Sequence, residues 1–191
     1  MDDVEVAGPP FDARGIANLL LEYAEQQGAP LSNLSLQKVL YFAHGLYLTR
    51  YGCPLVDGYF EAWENGPVHP LVYSSFKENG SAPIVGSAFR LNLQTRKRER
   101  VETPAREDIR HFVREIARTY GRMQPHQLVG WSHRKNAPWH AIVGSGPDQR
   151  QHYGLRIENE LIRDRFKYHR FAVADNNHNG EISEELPPPA D

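Results

Sequence analysis

Residues 35–50 read SLQKVLYFAHGLYLTR, and no other stretch restricts the fold as strongly. Leu36, Val39, Leu40, Ala43 and Tyr47 recur at helical spacing and form one stripe. Tyr41, Phe42, Leu46 and Leu48 fill most of the remaining circumference. A helix that is apolar on nearly all sides belongs at the centre of a core, with neighbours on several faces. Its burial is the largest stabilising contribution legible in the chain, because the driving force follows apolar area removed from water. Ser35 is the predicted N-cap, and Gly52 and Pro54 end the helix. Gly45, in the middle, costs about 1 kcal/mol relative to Ala, which predicts close approach by another backbone. Gln37 and Lys38 sit near the start of this helix. A lysine there must snorkel to water or pair with an acid, and Glu61 is the candidate partner.

The neighbours of that helix follow from periodicity and punctuation. Asp12 caps a first helix whose Ile16, Leu19, Leu20, Tyr23 and Ala24 share a face, and Gly28 and Pro30 close it. Phe60, Ala62 and Glu64 alternate with Tyr59, Glu61 and Trp63, a short strand pattern, before the Asn65-Gly66-Pro67 turn. A third helix is predicted over 69–78. Residues 83–103 read as irregular chain or a hairpin, with Phe89, Leu91 and Leu93 in half-buried alternation and RKRER at 96–100 as tip and return strand. Thr103-Pro104 predicts the start of a helix over 104–120 carrying Ile109, Phe112, Val113, Ile116 and Tyr120 on one face. Short helices are predicted over 124–131 and 138–143, then a loop over 144–154 and a closing helix over 157–168. The fold class is therefore mainly α: a compact helical domain around a buried central helix, with a small β-hairpin or short sheet.

With 191 residues the chain suits one domain. Residues 1–10 read as a flexible leader, 11–170 as the domain, and 171–191 as a disordered acidic tail with three consecutive prolines. Charge is unevenly spread: residues 1–65 hold nine acids and three bases, 89–121 nine bases and five acids, and 171–191 five acids and no base. The single cysteine, Cys53, cannot close an intrachain disulfide, which favours a cytoplasmic setting. The N-terminus has two acids after Met1 and no apolar run, unlike a signal peptide. No stretch approaches a membrane span, so no membrane partner is expected.

A search for reaction chemistry yields no catalytic, cofactor or metal site. GSG at 144–146 lacks the spacing and the following Lys of a phosphate loop. His126, His133 and His140 are seven apart, but Pro138 breaks the helix that would align them. Glu61 and Glu64 flank Trp63 with nothing that requires their pKa values to diverge. Ser35 and His44 lack a nucleophile-elbow context. Arg96, Lys97, Arg98 and Arg100 are the best candidates for contact with nucleic-acid phosphates; they serve equally as a solvated hairpin tip.

Residues 31–76 carry a longer pattern. Leu36, Gln37, Lys38, Leu40, Tyr41, Phe42 and Ala43 open it, Gly52, Pro54 and Leu55 follow, and Glu61, Ala62, Trp63, Gly66, Pro67, Val68, Pro70 and Tyr73 complete it. Downstream stand Ser132, His133, Pro138 and Trp139, then an Ile-rich helix ending at Phe166. This pattern resembles the Panacea domain family, the domain of SocA-like antitoxins and phage-associated proteins, and the resemblance spans roughly 12–168. Asn65 and His69 depart from it, standing where many members carry an aromatic and an aliphatic residue, and alter a local surface. The resemblance implies a binding protein and not an enzyme: an antitoxin that neutralises a cognate toxin by direct protein contact. Alternatives are a nucleic-acid-binding regulator of its own operon, or an adaptor that delivers a toxin to a protease. Gln37, Lys38, Glu61, Trp63 and Tyr73, with His69 beside them, are the candidate partner-binding residues.

Overall fold

Helix α2, Asn33–Tyr51, is the axis of the molecule in a computed structural model that describes residues 8–144 and 149–169. Leu36, Val39, Leu40, Tyr41, Phe42 and Ala43 are all fully buried. The helix starts earlier than Ser35, because the Ser32 hydroxyl accepts from the Ser35 backbone N–H at 3.3 Å and is the actual cap. At the other end Gly52 adopts a left-handed conformation, and its N–H closes on the Leu48 carbonyl.

Around α2 stand α1 (Ala13–Gln26), α3 (Pro70–Phe76), α4 (Glu107–Tyr120), α5 (Pro125–Ser132) and α7 (Asn159–Arg165), each in contact with it. A further short helix, α6 (Pro138–Val143), packs on α7 and the sheet. Asp12 caps α1 by accepting from the Arg14 N–H. The predicted third helix is split, with α3 giving way to a 3-10 turn over Lys77–Asn79.

The sheet is small and antiparallel. Strand β1 (Phe60–Trp63) pairs with β2 (Gly66–Val68) on one side and with β5 (Leu155–Ile157) on the other. Ala62 lies opposite Pro67 and Trp63 opposite Gly66. Gly66, at φ 93°, permits the tight turn between β1 and β2. Alternation in β1 works as the sequence implies: Phe60 and Ala62 are buried, while Glu61 and Trp63 are half-buried on the other side. The closing helix begins later than 157, because Leu155–Ile157 is drawn into the sheet as β5.

A second hairpin, β3 (Phe89–Leu91) with β4 (Arg98–Arg100), stands apart from the sheet. Its position departs from the half-buried expectation: Phe89, Leu91 and Leu93 are 43%, 58% and 84% exposed. The strands pair only with each other, and among the described residues their apolar side chains stay largely exposed. Helix α4 likewise starts later than Pro104. Residues 101–106 run without helical structure along α1, where the Glu102 carbonyl would lie 2.5 Å from any Cβ placed on Gly15. That close passage holds the segment extended, and the helix opens only at Glu107 and Asp108, whose charge favours the positive end of its dipole.

The described residues form a mainly helical domain with a small sheet. Among them no helix is long and apolar enough to cross a membrane. The expected leader and acidic tail fall largely on 1–7 and 170–191, outside the described residues.

Candidate functional site

The family pattern converges where α2 meets the β1–β2 hairpin and the N-terminus of α3. Gln37 is 1% exposed, donates to Asn33 Oδ1 at 3.0 Å and accepts from the His69 backbone N–H at 2.9 Å. Asn33 in turn donates to the Tyr73 carbonyl at 3.2 Å. One side chain pair thus ties the start of α2 to both ends of the first turn of α3. His69 is also buried, and its Nε2–H donates to the Asp57 carbonyl at 2.9 Å. Burial pulls the His69 pKa below the ordinary histidine value, so the ring is held neutral.

Lys38 is fully buried, and its Nζ donates to the Pro67 carbonyl at 2.8 Å. Desolvation drives its pKa well below the usual lysine range, toward the neutral amine. The expected pairing with Glu61 does not form. Glu61 lies on the outward side of β1, where it accepts from the Trp63 indole N–H at 2.7 Å, while Lys38 lies beneath the hairpin. Period-two alternation separates the two groups. Gly66 closes the site above Lys38: a Cβ there would lie 3.2 Å from Lys38 Nζ and 2.3 Å from Ser132 Oγ.

Trp63 and Tyr73 meet edge to face with centroids 4.7 Å apart, both half-buried. The Trp63 carbonyl accepts from the Trp139 indole at 2.8 Å, and His133 stacks on Trp139 at 3.7 Å. The downstream pair His133 and Trp139 therefore braces β1. Burial, with a smaller contribution from Lys38, lowers the His133 pKa to about 4. Beside this cluster an open cavity of about 690 Å³ is lined by Leu34, Asn65, His126, Val129 and His133.

The six sequence-selected residues are thus contiguous but of two kinds. Gln37, Lys38 and His69 are interior polar groups that hold three elements together. Glu61, Trp63 and Tyr73 form a partly accessible edge above them. Asn33, and Asn18, which bonds the Ala88 N–H and the Val101 carbonyl, carry no motif that marks them in the sequence. Asn33 is legible only as a polar residue in the first turn, and Asn18 only as a polar residue within an apolar helix face. His126 and His133 line that same cavity, yet among the described residues no group of three or more His, Cys, Asp or Glu could hold a metal ion. Arg96, Lys97, Arg98 and Arg100 lie on the separate β3–β4 hairpin, all exposed.

No solved structure matches the chain. Residues 36–140 match the family described as "Antitoxin SocA-like, Panacea domain". A relative from Caulobacter vibrioides (strain NA1000 / CB15N), named "Antitoxin SocA", is 42% identical over 177 residues, covering 93% of this chain and 94% of the relative. The matched span contains the whole Gln37–Tyr73 cluster and reaches Trp139, and on this basis the chain belongs to the SocA-like antitoxin family built on the Panacea domain.

Proposed function

We propose that the chain is a cytoplasmic antitoxin that neutralises a cognate protein toxin by direct contact. Family membership supports a protein partner, and the similarity to an antitoxin runs along nearly the whole chain. The observation that carries the reading is the division of the motif: its polar residues Gln37, Lys38 and His69 are committed to interior hydrogen bonds, which leaves an aromatic and acidic edge at the surface. In this reading Gln37, Lys38 and His69 act by holding that edge, and Glu61, Trp63 and Tyr73 meet the partner. Rigid aromatic groups suit such a role because they bury large area at little conformational cost.

The reading expects a small toxin gene beside this one, and the test is co-expression with that gene's product. Restored growth and a complex that survives size-exclusion chromatography are expected; no rescue and no complex overturn the reading. Delivery of the toxin to a protease is a variant of the same scheme, separated by whether toxin levels fall during rescue. A second reading, a nucleic-acid-binding regulator, is favoured by the exposed Arg96, Lys97, Arg98 and Arg100. It expects sequence-selective retention of the operon's own DNA at moderate salt, and loss with salt on any DNA removes it.

A further inference from the structure

The β3–β4 hairpin is built as a projecting arm, and its composition is unlike the rest of the surface. At its base the buried Asn18 side chain accepts from the Ala88 N–H at 2.7 Å and donates to the Val101 carbonyl at 2.9 Å, so both strands are clamped to α1. A two-stranded ribbon is marginal in water by itself, and this clamp supplies the missing anchorage. Above it, Phe89 lies opposite Arg100 and Leu91 opposite Arg98. Directly paired residues share a face of the ribbon, so one face presents two apolar side chains on one strand beside two guanidinium groups on the other. The Arg98 guanidinium lies 5.3 Å from the Phe89 ring centroid. Leu93 extends the apolar surface to the tip. Among the described residues no ion pair satisfies Arg96, Lys97, Arg98 or Arg100.

We propose that this arm is a toxin-docking element, and that the surface it engages is a protein face with an apolar hollow rimmed by carboxylates. The inference rests on the antitoxin reading above and adds a second contact surface, beside the Glu61, Trp63 and Tyr73 edge, with the chemistry of its counterpart. Three alternatives fit less well. Nucleic acid would use the cations but offers phosphate and sugar to the exposed aliphatic side chains of Leu91 and Leu93. A second copy of the chain would set four cations of one arm against four of another, at a cost from like-charge repulsion. The chain's own acidic 171–191 segment answers the charge, but its five acids are spread over positions 175 to 191 against four cations within 96–100.

Two surface double variants separate the contributions: Phe89→Ser with Leu91→Ser, and Arg98→Glu with Arg100→Glu. All four side chains are exposed, so far-ultraviolet circular dichroism and the unfolding midpoint should match wild type. The probe is the adjacent-gene toxin, assayed by growth rescue and by titration at two salt concentrations. Each variant is expected to weaken the complex at least tenfold. The arginine variant should also lose the salt dependence that the wild type and the Phe89/Leu91 variant show. Wild-type rescue together with full rescue by both variants overturns the arm and leaves it to nucleic acid, a second copy or the chain's own acidic segment. Failure of the wild type overturns the antitoxin reading itself. Loss in the arginine variant alone also overturns the proposal, since a purely electrostatic contact needs no apolar hollow.

Discussion

Lys38 is the residue whose position in sequence raised the sharpest question. A buried amine with one carbonyl partner carries a desolvation cost that an apolar side chain of similar length would not. Lys38→Met should therefore leave the unfolding free energy within about 1.5 kcal/mol of wild type. Lys38→Ala removes most of the stem from a fully packed position and should cost about 2–4 kcal/mol. Urea denaturation of the two variants checks this, and a larger loss in Lys38→Met than in Lys38→Ala contradicts a packing role. The same residue shows how far sequence reaches at this scale. That Lys38 had to be reconciled with burial was legible from its place on an apolar helix. Its partner was not, because a backbone carbonyl from a hairpin 29 residues away leaves no trace in side-chain identity. The nearest acid in sequence logic, Glu61, turned outward with its strand.

Elements met each other through positions chosen for lack of a side chain and through buried amides. Gly45 was expected to admit a backbone; it admits an aromatic ring. A Cβ there would lie 1.9 Å from Phe166, in the 3-10 turn that follows α7. Gly45→Ala gains about 1 kcal/mol of helix propensity but displaces that ring, and a net loss of about 1–3 kcal/mol is expected from overpacking. A thermal midpoint equal to or above wild type would contradict the packing. Asn18 plays the complementary part for the β3–β4 arm. Asn18→Ala strands the Ala88 N–H and the Val101 carbonyl, and about 1–3 kcal/mol should be lost. Hydrogen exchange should accelerate in 88–101 more than in α2; uniform acceleration would show that the clamp is not local. The hairpin itself was legible from alternation and the basic tip. Its exposure was not, since alternation marks one face for burial and cannot say whether another element comes to cover it.

Across the whole molecule, burial keeps several histidines neutral. His44 and His169 are each lowered to about 4 by desolvation, and so is His133. His169 donates through Nδ1 to the Trp131 carbonyl, which leaves Nε2 to accept from the Tyr41 hydroxyl; a second ring proton would break that arrangement. His44 is paired with the Asn159 amide at 3.0 Å. Since the folded pKa lies below the unfolded value of 6.5, the unfolded chain binds more protons between the two. The stabilisation is fully present above pH 6.5 and is lost as pH falls toward 4, at a slope on the order of 1 kcal/mol per pH unit for each histidine. The urea midpoint should drop steadily from pH 7 to 5, and each of His44→Gln and His169→Gln should flatten part of that slope. A midpoint independent of pH would mean that these rings take up protons as readily in the fold as in the unfolded chain. The window is that of histidine alone, because lowered carboxylate values such as that of Asp12 act at more acid pH.

What the sequence determined by itself was the central helix, the face each helix buries, the positions of most turns and the family. These are short-range properties: periodicity, capping chemistry and glycine or proline punctuation act within a few residues, and the family pattern is written in residue identities. The tertiary structure decided which polar residues of that pattern are interior and which are accessible. Gln37, Lys38 and His69 went inward because the His69 amide and the Pro67 and Asp57 carbonyls meet them across 12 to 32 positions of chain. Glu61, Trp63 and Tyr73 stayed at the edge because no further element among the described residues covers them completely. Long-range pairing of this kind depends on backbone groups common to every residue, and only the folded chain brings them together.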